Sequence, residues 1–359
     1  MGDITPNLRR QGWNMMENTS ATSLAKQWAK KYLQKLIDPE QSWETSTQEM
    51  PLSSLYGDAK QTTTAERRSL IAQQLLQSIR SINLKAWAKT ETLLSQEVKR
   101  HGINYKLIDP YEIARDAYHI YEQALSAYAE QLTPQRLCVF ISPDVGSIRE
   151  KYTAIDPRVI GFVSMQFHYC GQLFLEPLAP PDQEILGDYF KVIDDHLYIP
   201  LQRFYDISAH YDYNSPILES IRQLIPPSSE IARKIASRII ELYPNYSCHT
   251  GSLSDSAVMV SSIRDVEMFQ VYLWICVLEN SIAAIQQELF PLCVMLYPPL
   301  KVRWELVRQM LHLLGNELQT RLTPQQQSLF MPYFQSLWEL FSPEVFPETL
   351  EDETPDKLA

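Results

Sequence analysis

The feature that most constrains the fold is a dipeptide in which a small polar residue precedes proline. The side-chain oxygen of Asp, Ser or Thr accepts hydrogen bonds from the free N–H groups at the start of a helix. Proline is tolerated next because the N–H that it lacks would have no partner there. Some pairs are expected to be ordinary turns, since proline is also favoured early in type I turns. The pairs still predict repeated helix starts and an all-α protein: Asp38-Pro39, Asp109-Pro110, Thr133-Pro134, Ser142-Pro143, Asp156-Pro157, Ser215-Pro216, Thr323-Pro324 and Ser342-Pro343.

Glycine is scarce, which narrows both the fold and the function. The 359 residues include 10 glycines, or about 3% against a usual ~7%. The chain contains no GxGxxG and no GxxxxGK[ST] motif, so the commonest nucleotide-binding loops are excluded. The chain has 43 acidic and 32 basic side chains, a net charge of −11, which argues against a nucleic-acid partner.

Apolar residues recur with helical spacing between the proposed helix starts. After Asp109-Pro110 they fall on one broad face, and a helix is predicted there. Residues 157–178 are predicted to be helical, with two strands around Gly171 as the alternative. A central helix is expected from Ile263 to Glu288, because its middle is apolar all round. Amphipathic helices are expected over residues 300–322 and 325–341.

The composition divides the chain into four predicted segments. Residues 1–37 form a basic amphipathic arm, since residues 1–36 carry six basic and two acidic side chains. Residues 38–62 are Ser/Thr/Gln-rich and read as a polar linker. Residues 63–343 are predicted to fold as one multi-helix globular bundle. Residues 344–359 form an acidic tail that is predicted to be disordered.

Cysteine usage and hydropathy indicate the compartment. The five cysteines are an odd, sparse set without a CxxC pair, which is neither a disulfide framework nor a zinc ribbon. The N-terminus lacks the apolar core of a secretory signal. The longest apolar run, Val271–Leu278, is far shorter than the ~20 residues of a membrane span. A reduced, soluble, cytoplasmic chain without a transmembrane segment is expected.

The basic arm is the first candidate interaction site. Leu24, Trp28, Tyr32 and Leu36 repeat every four residues, with lysines on the flanks. Such a helix can dock on an acidic partner or lie on an anionic membrane surface. It can equally pack on its own core, and its positive charge against an acidic body favours that alternative.

The segment Asp194–Asp212 is the richest polar stretch and the candidate cofactor site. On a continuous helix, His196, Arg203, Asp206 and His210 would fall on nearly one face. Asp and His at such spacing can ligate a metal or orient an imidazole, so His196, Asp206 and His210 are the candidate ligands. Pro200 interrupts this helix, and no Glu-x-x-His pair of the ferritin-like type is present. Neither a metal nor a cofactor is assigned.

The remaining patterns give no catalytic set. His168 and Cys170 would point apart on a helix, and the adjacent Cys248-His249 pair has no third orienting group. No GxSxG elbow is present. Four tyrosines recur at spacings of seven and three along one predicted helix: Tyr111, Tyr118, Tyr121 and Tyr128. An aromatic stripe of this kind usually belongs to a core or an interface, and it rarely forms a pigment-binding site.

The stretch Ser261–Gly315 resembles a cyanobacterial helical protein family of unassigned function. The resemblance covers about the last 200 residues and rests on overall texture. It implies a role in regulating or assembling something in a photosynthetic cell, and it carries over no catalytic or binding residues.

The sequence therefore favours a non-catalytic protein-interaction factor, meaning an adaptor, an assembly factor or a regulatory protein. Its 7 Trp, 19 Tyr and 12 Phe exceed the needs of a core, and Tyr and Trp are favoured interface anchors. The expected partner is another protein. The alternative is a helical metal- or pigment-binding protein that uses the Asp194–Asp212 segment. A third possibility is a peripheral membrane-surface binder acting through Leu24–Leu36.

Overall fold

The structure is a computed structural model that describes residues 20–31 and 64–346. Within these residues the chain forms 13 α-helices and one hairpin of two-residue strands, Ser247–Cys248 and Gly251–Ser252. The all-α prediction is confirmed. The helices are α1 (Ser20–Ala29), α2 (Thr64–Arg100), α3 (Pro110–Ala129), α4 (Pro134–Thr153), α5 (Ile160–Leu175), α6 (Pro180–Tyr198), α7 (Leu201–Ser208), α8 (Pro216–Leu224), α9 (Ser228–Leu242), α10 (Ser256–Glu279), α11 (Phe290–Leu296), α12 (Trp304–Arg321) and α13 (Pro324–Leu340).

Several predictions fall on residues that the structure does not describe. The linker 38–62, Asp38-Pro39 and two of the four apolar residues of the arm, Tyr32 and Leu36, lie outside the described residues. Most of the acidic tail, residues 347–359, lies outside them too. The division into arm, linker, core and tail stays a prediction.

Four of the predicted helix starts are capped as expected, and one of them is Asp156 at the short 3-10 helix Pro157–Val159. The carboxylate of Asp109 accepts hydrogen bonds from the N–H groups of Tyr111 and Glu112 at the start of α3. Thr133 caps α4 in the same way. At the start of α13, Thr323 forms a reciprocal capping box with Gln326. These helices begin where their own side chains satisfy the first free N–H groups.

Two of the pairs do not start a helix, and one of these lies in a turn, as was expected for some of them. Pro143 lies inside α4, where the Ser142 hydroxyl donates a hydrogen bond to the Gln202 side chain 3.1 Å away instead of capping a helix. Pro343 follows the end of α13 in a turn. In the first case packing between distant helices overrides the local signal.

The predicted central helix ends earlier than expected. Helix α10 spans Ser256–Glu279 and stops at Asn280, whose left-handed backbone (φ 50°) cannot continue an α-helix. A one-turn π-helix, Ile285–Leu289, leads into α11. The prediction of a continuous helix to Glu288 is therefore wrong. The middle of α10 is fully buried, as predicted for a helix surrounded by others.

Residues 160–175 form a helix, so the helical prediction for this stretch holds over the two-strand alternative. The hydroxyl of Tyr121 on α3 donates a 2.7 Å hydrogen bond to the carbonyl of Phe167. A Cβ atom at Gly171 would come within 3.0 Å of the same hydroxyl. Glycine therefore permits the close approach of α3 and α5.

The helices are arranged around α10 and α5. Helix α2 packs along α3 and α5, and α4 packs on α6 and α7. On the other side, α10 contacts α7, α9 and α13, and α9 contacts α12. Helix α1 lies on α7 and α4. Within the described part of the chain, no helix combines the length and the apolar character that a membrane crossing requires.

Candidate functional site

The three predicted cofactor ligands are not brought to one site. His196 is buried on α6, whereas Asp206 and His210 are exposed on and after α7. The chain turns between these helices at Pro200, so the continuous helix that would align them does not form. Asp206 instead accepts a 2.8 Å hydrogen bond from Gln202. Among residues 20–31 and 64–346, no three His, Cys, Asp or Glu side chains are grouped to hold a metal ion.

His196 faces Cys138, a pairing that suggests a catalytic dyad. The Nδ1–H of His196 donates to the carbonyl of Val192 at 2.7 Å, so Nε2 is the free acceptor that faces the Cys138 thiol at 3.7 Å. Burial lowers the pKa of His196 to about 4 and raises the pKa of Cys138 far above its usual value. Both groups are neutral near pH 7, whereas nucleophilic catalysis needs a thiolate. Cys138 and His196 are therefore interpreted as neutral core residues that contact each other.

The two cysteine–histidine pairs that the sequence offers, His168 with Cys170 and Cys248 with His249, show no hydrogen bond between their side chains among the described residues. His168 turns toward Asp194, with 2.9 Å between its Nδ1 and the carboxylate. Cys170 is buried, and its thiol contacts the side-chain oxygen of Asn83 at 3.2 Å. Burial also raises the pKa of Cys248 in the hairpin. Neither thiol is prepared for attack.

A cluster of buried charges lies where the end of α1 meets α6 and α10. Its inner members, the central ion cluster, are Lys31, Lys191, Asp195, Arg264 and Glu267. Lys191 Nζ lies 2.8 Å from both carboxylate oxygens of Asp195. Lys31 Nζ lies 2.7 Å from Glu267 Oε2 and 3.5 Å from Asp195 Oδ2. Asp195 and Glu267 are almost fully buried, so Lys31 bridges two carboxylates from different helices.

Arg264 extends the cluster toward α5. Its guanidinium stacks 3.6 Å from the centre of the Tyr198 ring and lies 3.2 Å from Asp265 and 3.8 Å from Asp194. Asp194 in turn pairs with His168. Burial raises the pKa of Asp265, and the Arg264 guanidinium opposes that rise. Each of these charges has a neighbour of opposite sign, which a buried charge requires.

A second charged group joins α7 to the end of α10. Arg203 binds Glu279 through two nitrogens, at 2.7 to 2.9 Å, and its third nitrogen pairs with Glu288 of the π-helix. Arg149 on α4 donates to the carbonyl of Leu197 and, at 3.0 Å, to the hydroxyl of Tyr272. Arg203 therefore holds helices together and does not line a cofactor site with His196.

The tyrosine stripe divides between the core and the surface. Tyr121 and Tyr128 are buried, whereas Tyr111 is 86% exposed and Tyr118 is 39% exposed. On the neighbouring α2, Leu84 is 74% exposed. These three exposed side chains, Leu84, Tyr111 and Tyr118, are called the outer face.

Hydrogen bonds and charges show how the outer face is assembled. The amide of Asn83, next to Leu84, donates to the carbonyl of Ala114 at 3.3 Å. This contact places Asn83 of α2 beside Ala114, which lies between Tyr111 and Tyr118 on α3. Glu122 raises the pKa of Tyr118, and Arg80, one turn before Leu84, lies near enough to oppose it. The outer face therefore spans two helices that are packed along their length.

The arm is docked through its described residues. Leu24 and Trp28 are buried, with Trp28 packed edge to face on Trp274 of α10 at a centroid distance of 6.3 Å. Lys31 Nζ lies 3.6 Å from the centre of the Trp28 ring. The packing of these residues on the chain's own core matches the alternative that their charge favoured.

The sequence alone did not identify the charged residues beneath the arm as a cluster. Glu267 lies in a run that is otherwise mainly apolar, VEMFQVYLWICVL, and a carboxylate there is a signal that a buried partner exists. The sequence offers no way to identify that partner as Lys31, 236 positions away.

Comparison of the chain with protein-family models, curated proteins and solved structures gives no match.

Proposed function

We propose that the chain is a non-catalytic protein-interaction factor, an adaptor, assembly or regulatory protein that binds another protein through its outer face. One observation carries the proposal: Leu84 of α2 and Tyr111 and Tyr118 of α3 are exposed on two helices that pack on each other. Single exposed apolar residues are common on protein surfaces and need no explanation. Tyrosine, however, is one of the residue types that are enriched among interface anchors, and two tyrosines are exposed here on one helix.

The backbone beneath the outer face is fixed in advance, which favours binding. Asn83 joins α2 to α3, and the buried part of the tyrosine stripe anchors α3 to α5 through Tyr121. Little conformational entropy is then lost when a partner covers the exposed rings. The tyrosine hydroxyls also keep polar contacts available at the rim, as between Tyr118 and Glu122 at 3.3 Å.

The electrostatics of the buried candidates support a binding role over a catalytic one. Cys138 and His196, whose side chains are in contact, are both neutral and buried. The carboxylates of the central ion cluster are covered by the end of α1. The resemblance of Ser261–Gly315 to a cyanobacterial protein family suggests a partner in a photosynthetic cell.

The test is affinity purification of three tagged forms of the full chain from its native cells, with quantitative mass spectrometry. The outer-face variant carries Leu84→Ala and Tyr111→Ala. The matched control carries Tyr105→Ala and Ile155→Ala, which are 70% and 79% exposed elsewhere on the surface. A partner should be recovered with the wild type and the control and fall at least tenfold with the outer-face variant.

Equal recovery of every co-purifying protein in all three forms would rule out the outer face as the binding surface. Thermal unfolding separates loss of binding from loss of structure. Exposed substitutions of this kind usually change stability by no more than about 0.5 kcal/mol.

A further inference from the structure

The surface beneath α1 is an acidic groove with a specific shape. Its floor is formed by Asp195 of α6 and by Glu267 and Trp274 of α10, and α4 and α7 form its sides. Both carboxylates are buried once α1 is in place. The groove lies apart from the outer face, which is built on α2 and α3.

We infer that this groove is a binding site for a basic amphipathic helix with a tryptophan three residues before a lysine, and that α1 is its resident occupant in cis. A helix from a partner protein with the same chemistry would compete with α1 for the groove. This inference goes beyond the proposed function because it concerns a different surface and a different kind of ligand.

The first support is that α1 buries its apolar side chains against the body of the chain. Leu24 and Trp28 are buried against the body, whereas Lys26 and Lys30 remain exposed on the opposite side. The groove therefore recognises the leucine, the tryptophan and Lys31, and leaves the other two lysines in solvent.

The second support is charge. Lys31 is one of three cations that face four carboxylates in and around the central ion cluster: Asp194, Asp195, Asp265 and Glu267. Without Lys31, Glu267 retains the hydroxyl of Ser229 and the more distant charge of Lys191. A purely apolar helix would bury this carboxylate without an adjacent cation, which is strongly unfavourable. The groove thus selects for a helix with a basic residue at this position.

The third support is that α1 fits the groove imperfectly. The indole N–H groups of Trp28 and Trp274, whose rings pack on each other here, are buried without a hydrogen-bond partner among the described residues. Each such group loses its bond to water on burial. A helix that supplied an acceptor at these points would bind more tightly than α1.

The test uses the full chain and a fluorescein-labelled peptide with the sequence of residues 20–37. The docking variant carries Trp28→Ala and Lys31→Ala, which weaken α1 as a competitor. The matched control carries Lys26→Ala and Lys30→Ala, which remove equal positive charge from the exposed side. The peptide should bind the docking variant at least tenfold more tightly than it binds the wild type or the control. A peptide with Trp28→Ala should not compete.

Hydrogen exchange provides a second measurement that needs no variant. Excess unlabelled peptide should accelerate exchange of the amides of residues 20–31 in the wild-type chain, while the α10 amides stay protected. Equal peptide binding to all three forms would overturn the inference, and so would unchanged exchange of α1 at saturating peptide. The affinity-purification result for the outer face does not depend on either outcome.

Discussion

Acidification is expected to destabilise the chain through one buried histidine. Burial holds the pKa of His196 at about 4 in the folded chain, against 6.5 in the unfolded chain. Nearby Lys31 and Lys191 lower this pKa further, while the Val192 carbonyl and Asp195 oppose them. Below pH 6.5 the unfolded chain binds a proton at this ring and the folded chain does not. Stability is therefore lost as the pH falls from about 6.5 toward 4.

The size of the effect follows from the two pKa values of His196. The full difference corresponds to about 3 kcal/mol of unfolding free energy once the pH lies below both values. At about pH 5 the folded ring is still mostly neutral and the unfolded ring is mostly charged. Roughly 2 kcal/mol should then be lost relative to about pH 7.

The assay is urea unfolding followed by tryptophan fluorescence at both pH values. His196→Gln removes the titrating ring, and His210→Gln removes an exposed histidine as the matched control. The wild type and the control should lose about 2 kcal/mol more than His196→Gln between the two pH values. Asp265, whose raised pKa acts in the opposite direction, is common to all three forms and cancels. An equal loss in all three would refute the assigned role of His196.

Three further outcomes follow from the core. Ellman's reagent should label Cys248 first in the native chain, because the other four thiols are buried, and a second fast thiol would contradict this. Gly315→Ala should lower the unfolding free energy by about 1 to 3 kcal/mol in a urea melt, because the new Cβ would lie 2.8 Å from the Phe334 ring. A more stable variant would be inconsistent with this packing. Arg149→Met should lower the unfolding free energy by about 3 kcal/mol in the same urea melt, because the Leu197 carbonyl would lose its guanidinium partner. An unchanged urea midpoint would argue against that contact.

Helix starts were predictable because a cap and the N–H groups it satisfies lie within three residues. Asp109, Thr133 and Thr323 all act on their own first turn. Ser142 shows where such reasoning ends. Its hydroxyl binds Gln202, 60 positions away, and the helix continues through the following proline.

The end of α10 was missed for a similar reason. The apolar pattern runs on past Glu279, so periodicity alone predicts one continuous helix. The break is made at Asn280, whose side-chain oxygen accepts a 2.6 Å hydrogen bond from the Tyr333 hydroxyl of α13. A tertiary contact thus accompanies a left-handed residue that local spacing does not reveal.

The polar stretch around His196 was predicted as a candidate cofactor site because its burial could not be read from the sequence. Asp195 and His196 face inward, whereas Asp206 and His210 face solvent. The division depends on the turn at Pro200 and on where α6 packs. The sequence does mark Pro200 as an interruption, but it does not show which side of it is buried.

The position of Lys31 accounts for the register in which α1 docks. Lys31 reaches Asp195 and Glu267 when Trp28, three residues earlier, lies on Trp274. A shift of one residue rotates the helix by about 100°, which would carry both side chains away from their partners. The ion pairs contribute little net stability, because desolvation offsets their attraction, but a wrong register leaves buried carboxylates uncompensated. The groove therefore discriminates among helices by penalising those without a correctly placed cation, which is how a basic helix would be selected over an apolar one.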